Sequence, residues 1–222
     1  MWQKVNPIGM RVGIMKSRPS EWFAKTRRLS ADFFVEDIKV RDFLEKKLAR
    51  SGVAKVVIRK TLKEGEIILF ASKVGVIMGK NGEKIKALEE ELTEKFGKPF
   101  KITIKEVRTP ELSAKIMAEY IASQLEARMP YRKVVKQVLS RVMEKGASGI
   151  KIQIGGRLGG TDIARSEKFI DGRVSLQTFR SDIDYHYLQA MTKYGVLGIK
   201  VWIEKWVLTG TKKKAKKTLN LD

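Results

Sequence analysis

Val74-Gly75-Val76-Ile77-Met78-Gly79-Lys80-Asn81-Gly82-Glu83-Lys84-Ile85 is the stretch that decides how this chain is read. An apolar segment breaks at Gly79-Lys80-Asn81-Gly82 and restarts as a charged, helix-like run. Two glycines flanking two polar residues remove β-carbons, so phosphates can approach the main chain. The helix that follows offers unpaired N–H groups, and Lys80 adds positive charge. Such a turn suits a nucleic-acid backbone. It does not suit an NTPase: between Gly75 and Lys80 the glycine spacing is one residue short of G-x-x-x-x-G-K, and Asn81 stands where Ser or Thr would hold magnesium. The bland alternative for so short a motif is a glycine-capped connection between two helices.

The flanking sequence decides between the two. From Phe34 to Arg50 apolar residues recur at helical spacing (Ile38, Phe43, Leu44, Leu48), and Ser51-Gly52 ends the run. Val53 to Arg59 and Glu66 to Ala71 are short β-branched or apolar runs around Lys63-Glu64-Gly65, which predicts a hairpin. A brief helix reaches Met78, the glycine turn follows, and a helix runs from about Glu83 to Phe96. After Gly97-Lys98-Pro99, a strand covers Phe100 to Val107. Helix, strand, strand, helix, turn, helix, strand resembles a type II KH domain, whose loop of two glycines clamps nucleic-acid backbone.

Composition points to the same partner class. With 46 Lys and Arg against 25 Asp and Glu, the formal net charge is +21 and the pI about 10.1. A polyanion would relieve that self-repulsion and be met faster because of it. No long uncharged apolar run, signal-peptide pattern or lipidation motif is present, so no membrane partner is expected and the chain is read as cytoplasmic. The chain has no cysteine and one histidine, which removes disulfides, Cys-ligated zinc, cysteine nucleophiles and histidine metal clusters. No catalytic residue, metal or cofactor is expected, and His186 reads as an ordinary, partly buried side chain. At 222 residues, 43% of them hydrophobic, the chain can build one large or two modest cores.

The expected division is a basic N-terminal arm over 1–29, a KH domain over 30–108, a second α+β domain over 109–207 and a basic tail over 208–222. Residues up to Leu29 mix Pro7, Gly9, Gly13 and Pro19 with Lys4, Arg11, Lys16 and Arg18 and show no sustained period. Thr109-Pro110-Glu111 carries helix-start chemistry. Leu112, Ile116, Tyr120, Ile121 and Leu125 form one apolar stripe. Beyond Pro130, Val134, Val135, Val138, Leu139 and Val142 continue on a second helix. Arg128, Arg132, Lys133, Lys136 and Arg141 point outward. Arg132 and Lys136 are four apart with Lys133 beside them and no acid between, which favours a functional basic face over an ordinary solvated one. Ile150, Ile152 and Ile154 alternate in a half-buried strand that runs into Gly155-Gly156-Arg157-Leu158-Gly159-Gly160. Those glycines serve either bulges and turns or the close approach of another backbone, and both readings stand. Asp171-Gly172 reads as a hairpin turn, and Gly195 to Ile203 as the last strand. Two helices on a mostly antiparallel sheet complete the α+β class.

Five segments, in order and over nearly the whole chain, resemble the bacterial-type small ribosomal subunit protein three family. They are Gln3 to Arg11, Gly79 to Gly82, Gly156 to Arg165, Asp182-Ile183-Asp184-Tyr185, and Tyr194 to Ile203. The resemblance implies a structural constituent of the small-subunit head with small-subunit rRNA, mRNA and neighbouring head proteins as partners. It further implies that the protein lines the channel by which mRNA enters and helps unwind structured mRNA. On it, Gly79, Lys80, Asn81 and Gly82 hold RNA, Arg132, Lys133 and Lys136 handle mRNA, and Lys4, Arg11, Arg157 and Arg165 are candidate rRNA contacts. Lys133 stands where an arginine is common, which keeps the charge but not a bidentate grip on phosphate. Two alternatives share some of these features: a free-standing KH-type regulator or RNA chaperone, and a DNA-damage lyase or nuclease, for which no residue set is evident.

Overall fold

The computed structural model describes residues 4–49, 51–61, 64–79 and 82–207. Lys80, Asn81 and the basic tail over 208–222 therefore lie outside the described residues. The chain divides into two units, one over Arg18–Arg108 and one that joins Met1–Ser17 to Thr109–Asp222.

The unit over 18–108 contains β1 (Ser20–Glu21), α2 (Arg27–Lys47), β2 (Val53–Lys60), β3 (Gly65–Ala71), α3 (Val74–Met78), α4 (Glu83–Phe96) and β4 (Phe100–Glu106), with α1 (Pro7–Arg11) preceding it in the other unit. Its sheet has the order β1-β2-β3-β4. Strands β2 and β3 form the antiparallel hairpin, and β4 runs parallel to β3, from Gly65↔Phe100 to Ala71↔Glu106. A parallel neighbour needs a crossover, and α3 and α4 supply it. Val40 and Leu44 of α2, Ile77 of α3 and Leu92 of α4 close over Ile58, Ile67 and Leu69.

Two expectations change here. Helix α2 begins at Arg27, with Thr26 as its N-cap, and its inward stripe is Phe33, Asp37, Val40 and Leu44; Ile38 is 43% exposed. The stripe escaped a purely apolar count because one position is charged. The Asp37 carboxylate accepts from Ser20 Oγ at 2.5 Å, and Arg41 beside it donates to the carbonyls of Val56 and Pro19, both at 2.8 Å. These bonds seat β1 along β2, Ser20 opposite Ile58. The segment over 1–29 is thus not one free arm: 18–29 belongs to this unit and 4–17 to the other.

In the second unit, α5 (Ala114–Glu126) and α6 (Tyr131–Glu144) pack on β5 (Gly149–Gly156), β6 (Arg165–Gly172), β7 (Ser181–Thr192) and β8 (Gly195–Val207), an antiparallel sheet of order β6-β5-β8-β7. Met117, Ile121 and Leu125 of α5 and Val134, Val135, Val138 and Val142 of α6 are buried against Ile150, Ile152, Ile154, Ile199, Val201 and Ile203. The helix expected from Thr109 instead opens with a 3-10 turn over Pro110–Leu112, and α5 starts at Ala114, whose N–H donates to Asp184 Oδ2 at 2.9 Å. A carboxylate from β7 supplies the cap that Thr109 would have made. Asp171-Gly172 closes β6 rather than turning a hairpin: β6 pairs with β5, and β7 turns through Lys193-Tyr194 to pair with β8.

Helix α1 packs against β7. Asn6 caps it, accepting from the Ile8 N–H at 2.9 Å, and Pro7 occupies its first turn. Its anchor is Arg11, fully buried. The guanidinium donates to the carbonyls of Ser181 (2.8 Å), Pro7 (2.9 Å), Leu176 (3.0 Å) and Thr178 (2.9 Å). Lys16 adds an ion pair to Asp182 at 2.6 Å. The N-terminal segment is therefore part of a folded unit.

Candidate nucleic-acid interface

The five residues of α3 end at Gly79, whose N–H donates to the Gly75 carbonyl at 3.1 Å. Gly79 adopts φ 71°, ψ −170°, and Gly82, the N-cap of α4, adopts φ 79°, ψ 11°. Both lie where side chains with a β-carbon are strained. A β-carbon on Gly79 would also fall 2.8 Å from Lys84 Cγ, whereas one on Gly82 would meet nothing within 4 Å. Gly82 thus leaves open space at the start of a 14-residue helix, where the first N–H groups lack intrahelical partners and favour an anion.

Three residues that the sequence reading passed over complete this edge. Val76 and Met78 are exposed on either side of buried Ile77, an apolar surface next to the turn. Lys84 donates to the Val76 carbonyl at 3.4 Å and, with Gly75, Gly79 and Glu83, lines a shallow hollow. The signal was present: two apolar residues bracketing a buried one in so short a helix leave both outside. Phosphate at the glycine turn and bases against Val76 and Met78 is the chemistry this edge allows.

The second cluster is the outer face of α6. Lys133 and Lys136 are exposed, and the Arg132 side chain is 66% exposed. The opposite stripe, Val134, Val135, Val138 and Val142, is buried, so the core orients the basic residues outward. Sequence spacing could not show that Glu167 reaches this face from β6. Its carboxylate is 3.5 Å from Arg132 Nη2 and 3.3 Å from Arg165 Nε, and it accepts from Tyr131 Oη at 3.0 Å. Arg132 Nε also lies 3.1 Å from Tyr131 Oη, and the Tyr131 hydroxyl and Glu167 raise the guanidinium's pKa further. Arg132 and Arg165 are therefore aimed by a shared acid.

The rRNA candidates separate sharply. Lys4 is exposed. Arg165 is half exposed beside Glu167. Arg157 braces its own loop, donating to the carbonyls of Thr161 (2.9 Å) and Tyr194 (3.4 Å) and to Asp162 Oδ1 (2.9 Å), with its side chain 40% exposed. Arg11 is corrected from candidate contact to internal anchor, since no part of it is accessible and four carbonyls occupy its donors. In the glycine run, Gly156 has φ 134°, and a β-carbon there would fall 2.7 Å from Leu197 Cδ2 and 2.9 Å from the Val196 carbonyl. At that position close packing within the sheet is the reason for glycine. His186 is partly buried on β7.

Comparison with known proteins agrees with this geometry. Residues 39–112 match the KH domain family, and residues 121–203 match the family described as Ribosomal protein S3, C-terminal domain. Small ribosomal subunit protein uS3 of Hahella chejuensis is 46% identical over 95% of this chain and 92% of its own length. Proteins of the same name from Thermodesulfovibrio yellowstonii (46% identity, 92% of this chain and 94% of the relative) and Legionella pneumophila strain Corby (45%, 97% and 98%) are similar over a comparable span. These relatives are named as ribosomal proteins and not as enzymes. With an RNA-binding KH domain, the matching second domain and such identity over nearly its whole length, this chain belongs to the small ribosomal subunit protein uS3 family.

Proposed function

We propose that this protein is a structural constituent of the small subunit of the cytoplasmic ribosome. It binds small-subunit rRNA in the head, partly through the KH turn at Gly79, Lys80, Asn81 and Gly82, and neighbours other head proteins. It also lines the channel by which mRNA enters, where Arg132, Lys133 and Lys136 steady separated strands during unwinding. Lys4, Arg157 and Arg165 are further rRNA contacts.

The observation that carries the mRNA role is the outer face of α6: three cations within five residues, exposed and opposite a fully buried valine stripe. Cations that grip phosphates without reading bases suit a strand that slides, because the contact is the same at every register. Replacing Arg132, Lys133 and Lys136 together by Ala removes charge while Ala favours helix, so subunits should assemble and translate unstructured messages near the normal rate. Progress through a stable mRNA hairpin should slow. Matched messages with and without the hairpin, translated on purified mutant ribosomes, measure it. Equal slowing on both messages, or loss of assembly, would assign these residues to rRNA or structural contacts instead.

A further inference from the structure

The second sheet has one face sealed by α5 and α6 and another that these two helices do not cover. Because side chains alternate along a strand, the register defines the uncovered face row by row. Ile170, Lys151, Trp202 and Tyr185 stand side by side on β6, β5, β8 and β7. Lys168, Gln153, Lys200 and Tyr187 form the next row, and Ser166, Gly155, Gly198 and Gln189 the one after. Each row is about 14 Å across, three inter-strand spacings. The three rows hold three lysines, three aromatic rings and no acid.

The first row is closed at its centre, where Lys151 and Trp202 are buried, while Ile170 at its β6 end is exposed. Lys151 lies 5.0 Å from the centroid of the Trp202 ring, and Tyr185 leans on that ring at 5.2 Å. Burial chiefly, then the nearby charges of Lys4 and Lys168, lower the pKa of the Lys151 ammonium, a crowding of cations on this face. The second row is open. Lys168 and Lys200 are exposed, and Tyr187 is 45% exposed. Gln189 Nε2 donates to Tyr187 Oη at 3.1 Å, and Lys200 Nζ lies 5.9 Å from the ring centroid. Gly198 has no side chain to lift the ring; a β-carbon there would touch Tyr187 Cε2 at 3.4 Å. Gly155 beside it on β5 also lacks a side chain, so the strip next to the tyrosine is low and flat.

We propose that this uncovered face is an RNA-binding surface of the second unit, additional to the KH turn and to α6. An unpaired segment of small-subunit rRNA lies across the β6-β5-β8-β7 sheet, stacks one base on Tyr187 and pairs its phosphates with Lys168 and Lys200. The inference rests on the reading that the protein binds small-subunit rRNA, and it names the site and the form of RNA bound. A duplex would engage the lysines but present no free base face to the ring. An unpaired strand uses both, since every base has a π-face and an aromatic side chain on a sheet accepts it without sequence preference.

The test uses the full-length protein, purified small-subunit rRNA and an oligouridylate as the unpaired probe. Variants are Tyr187→Leu, Tyr187→Phe, Lys168→Ala with Lys200→Ala, and Lys145→Ala as a charge control, each first checked for an unchanged melting temperature. Tyr187→Leu should weaken oligouridylate binding about tenfold, and Tyr187→Phe, which keeps the ring, should restore it. The double lysine variant should lower the log-log salt slope by about 1.4, two contacts at roughly 0.7 each on a single strand. Ultraviolet cross-linking should recover RNA on peptides of β7 or β8. Unchanged binding and slope in these variants, with rRNA still bound, would overturn the surface alone; such a face would then serve another partner, such as an acidic protein. Failure of the unaltered protein to bind rRNA would overturn the functional reading and this inference together.

Discussion

Replacing Arg11 by Met keeps much of the side chain's length and removes its charge and all of its donors. In the native unit those donors satisfy the carbonyls of Pro7, Leu176, Thr178 and Ser181. The guanidinium also interacts electrostatically with fully buried Glu204, one carboxylate oxygen of which accepts from the Ser175 N–H while the other has no hydrogen-bond partner. Leaving a buried charge without its counter-charge costs about 3–5 kcal/mol, and each orphaned buried acceptor about 1–3 kcal/mol. Part of that cost is relieved if the N-terminal segment lifts away and admits water, so the net loss should be about 4 kcal/mol. For a unit of this size, with roughly 4 °C per kcal/mol, the melting temperature should fall by about 15 °C. Arg11→Lys should cost about half as much, because one ammonium cannot span four carbonyls. Thermal melting followed by circular dichroism measures the loss. Hydrogen exchange should locate it, with faster exchange in residues 174–182 and α1 and none in α4. An Arg11→Met protein that melts within about 3 °C of the unaltered one would refute the idea that the N-terminal segment is locked into the second unit.

Two further outcomes concern the first unit. The Lys60 side chain is 3% exposed, Nζ has no hydrogen-bond partner and lies 3.6 Å from Glu36 Oε1, and burial, the largest influence, lowers its pKa below the ordinary 10.5. The unfolded chain then holds this proton more tightly, so stability rises as pH climbs from the lowered native value towards 10.5. Lys60→Met should remove that rise and stabilise the unit near neutrality, with Lys98 still paired to Glu36 at 3.2 Å; urea midpoints of both proteins at neutral pH and about pH 10 measure the difference, and an equal pH slope in both would refute it. Gly79→Ala should cost about 2 kcal/mol and weaken RNA binding, since the backbone there suits glycine alone and Lys84 must move. Gly82→Ala, in open space, should cost only about 1 kcal/mol. Denaturant titration with parallel RNA binding checks the order, and equal costs would show that contact with Lys84 is immaterial.

What the sequence determined by itself is whatever depends on neighbours along the chain. The Gly79 to Gly82 turn, the hairpin of β2 and β3, the valine stripe of α6 and the alternating isoleucines of β5 are periodic or conformational signals. A period of 3.6 or 2 and a forced positive φ need no distant partner to be read. The outward set of Arg132, Lys133 and Lys136 was legible for the same reason: the apolar stripe assigns the opposite face. Tertiary structure decided the questions whose answer lies across the chain. Arg11 reads as one more surface cation until Leu176, Thr178 and Ser181, 165 to 170 positions later in the sequence, bring three carbonyls around it to join that of Pro7. Asp37 reads as a break in an apolar face until Ser20 and Arg41 engage one of its carboxylate oxygens, and Asp184 as a solvated acid until it caps α5. The uncovered row of Lys168, Gln153, Lys200 and Tyr187 comes from four strands whose order in the sheet is not their order in sequence. A buried charge is tolerated only where partners converge, and convergence is a property of the folded chain that local spacing does not carry.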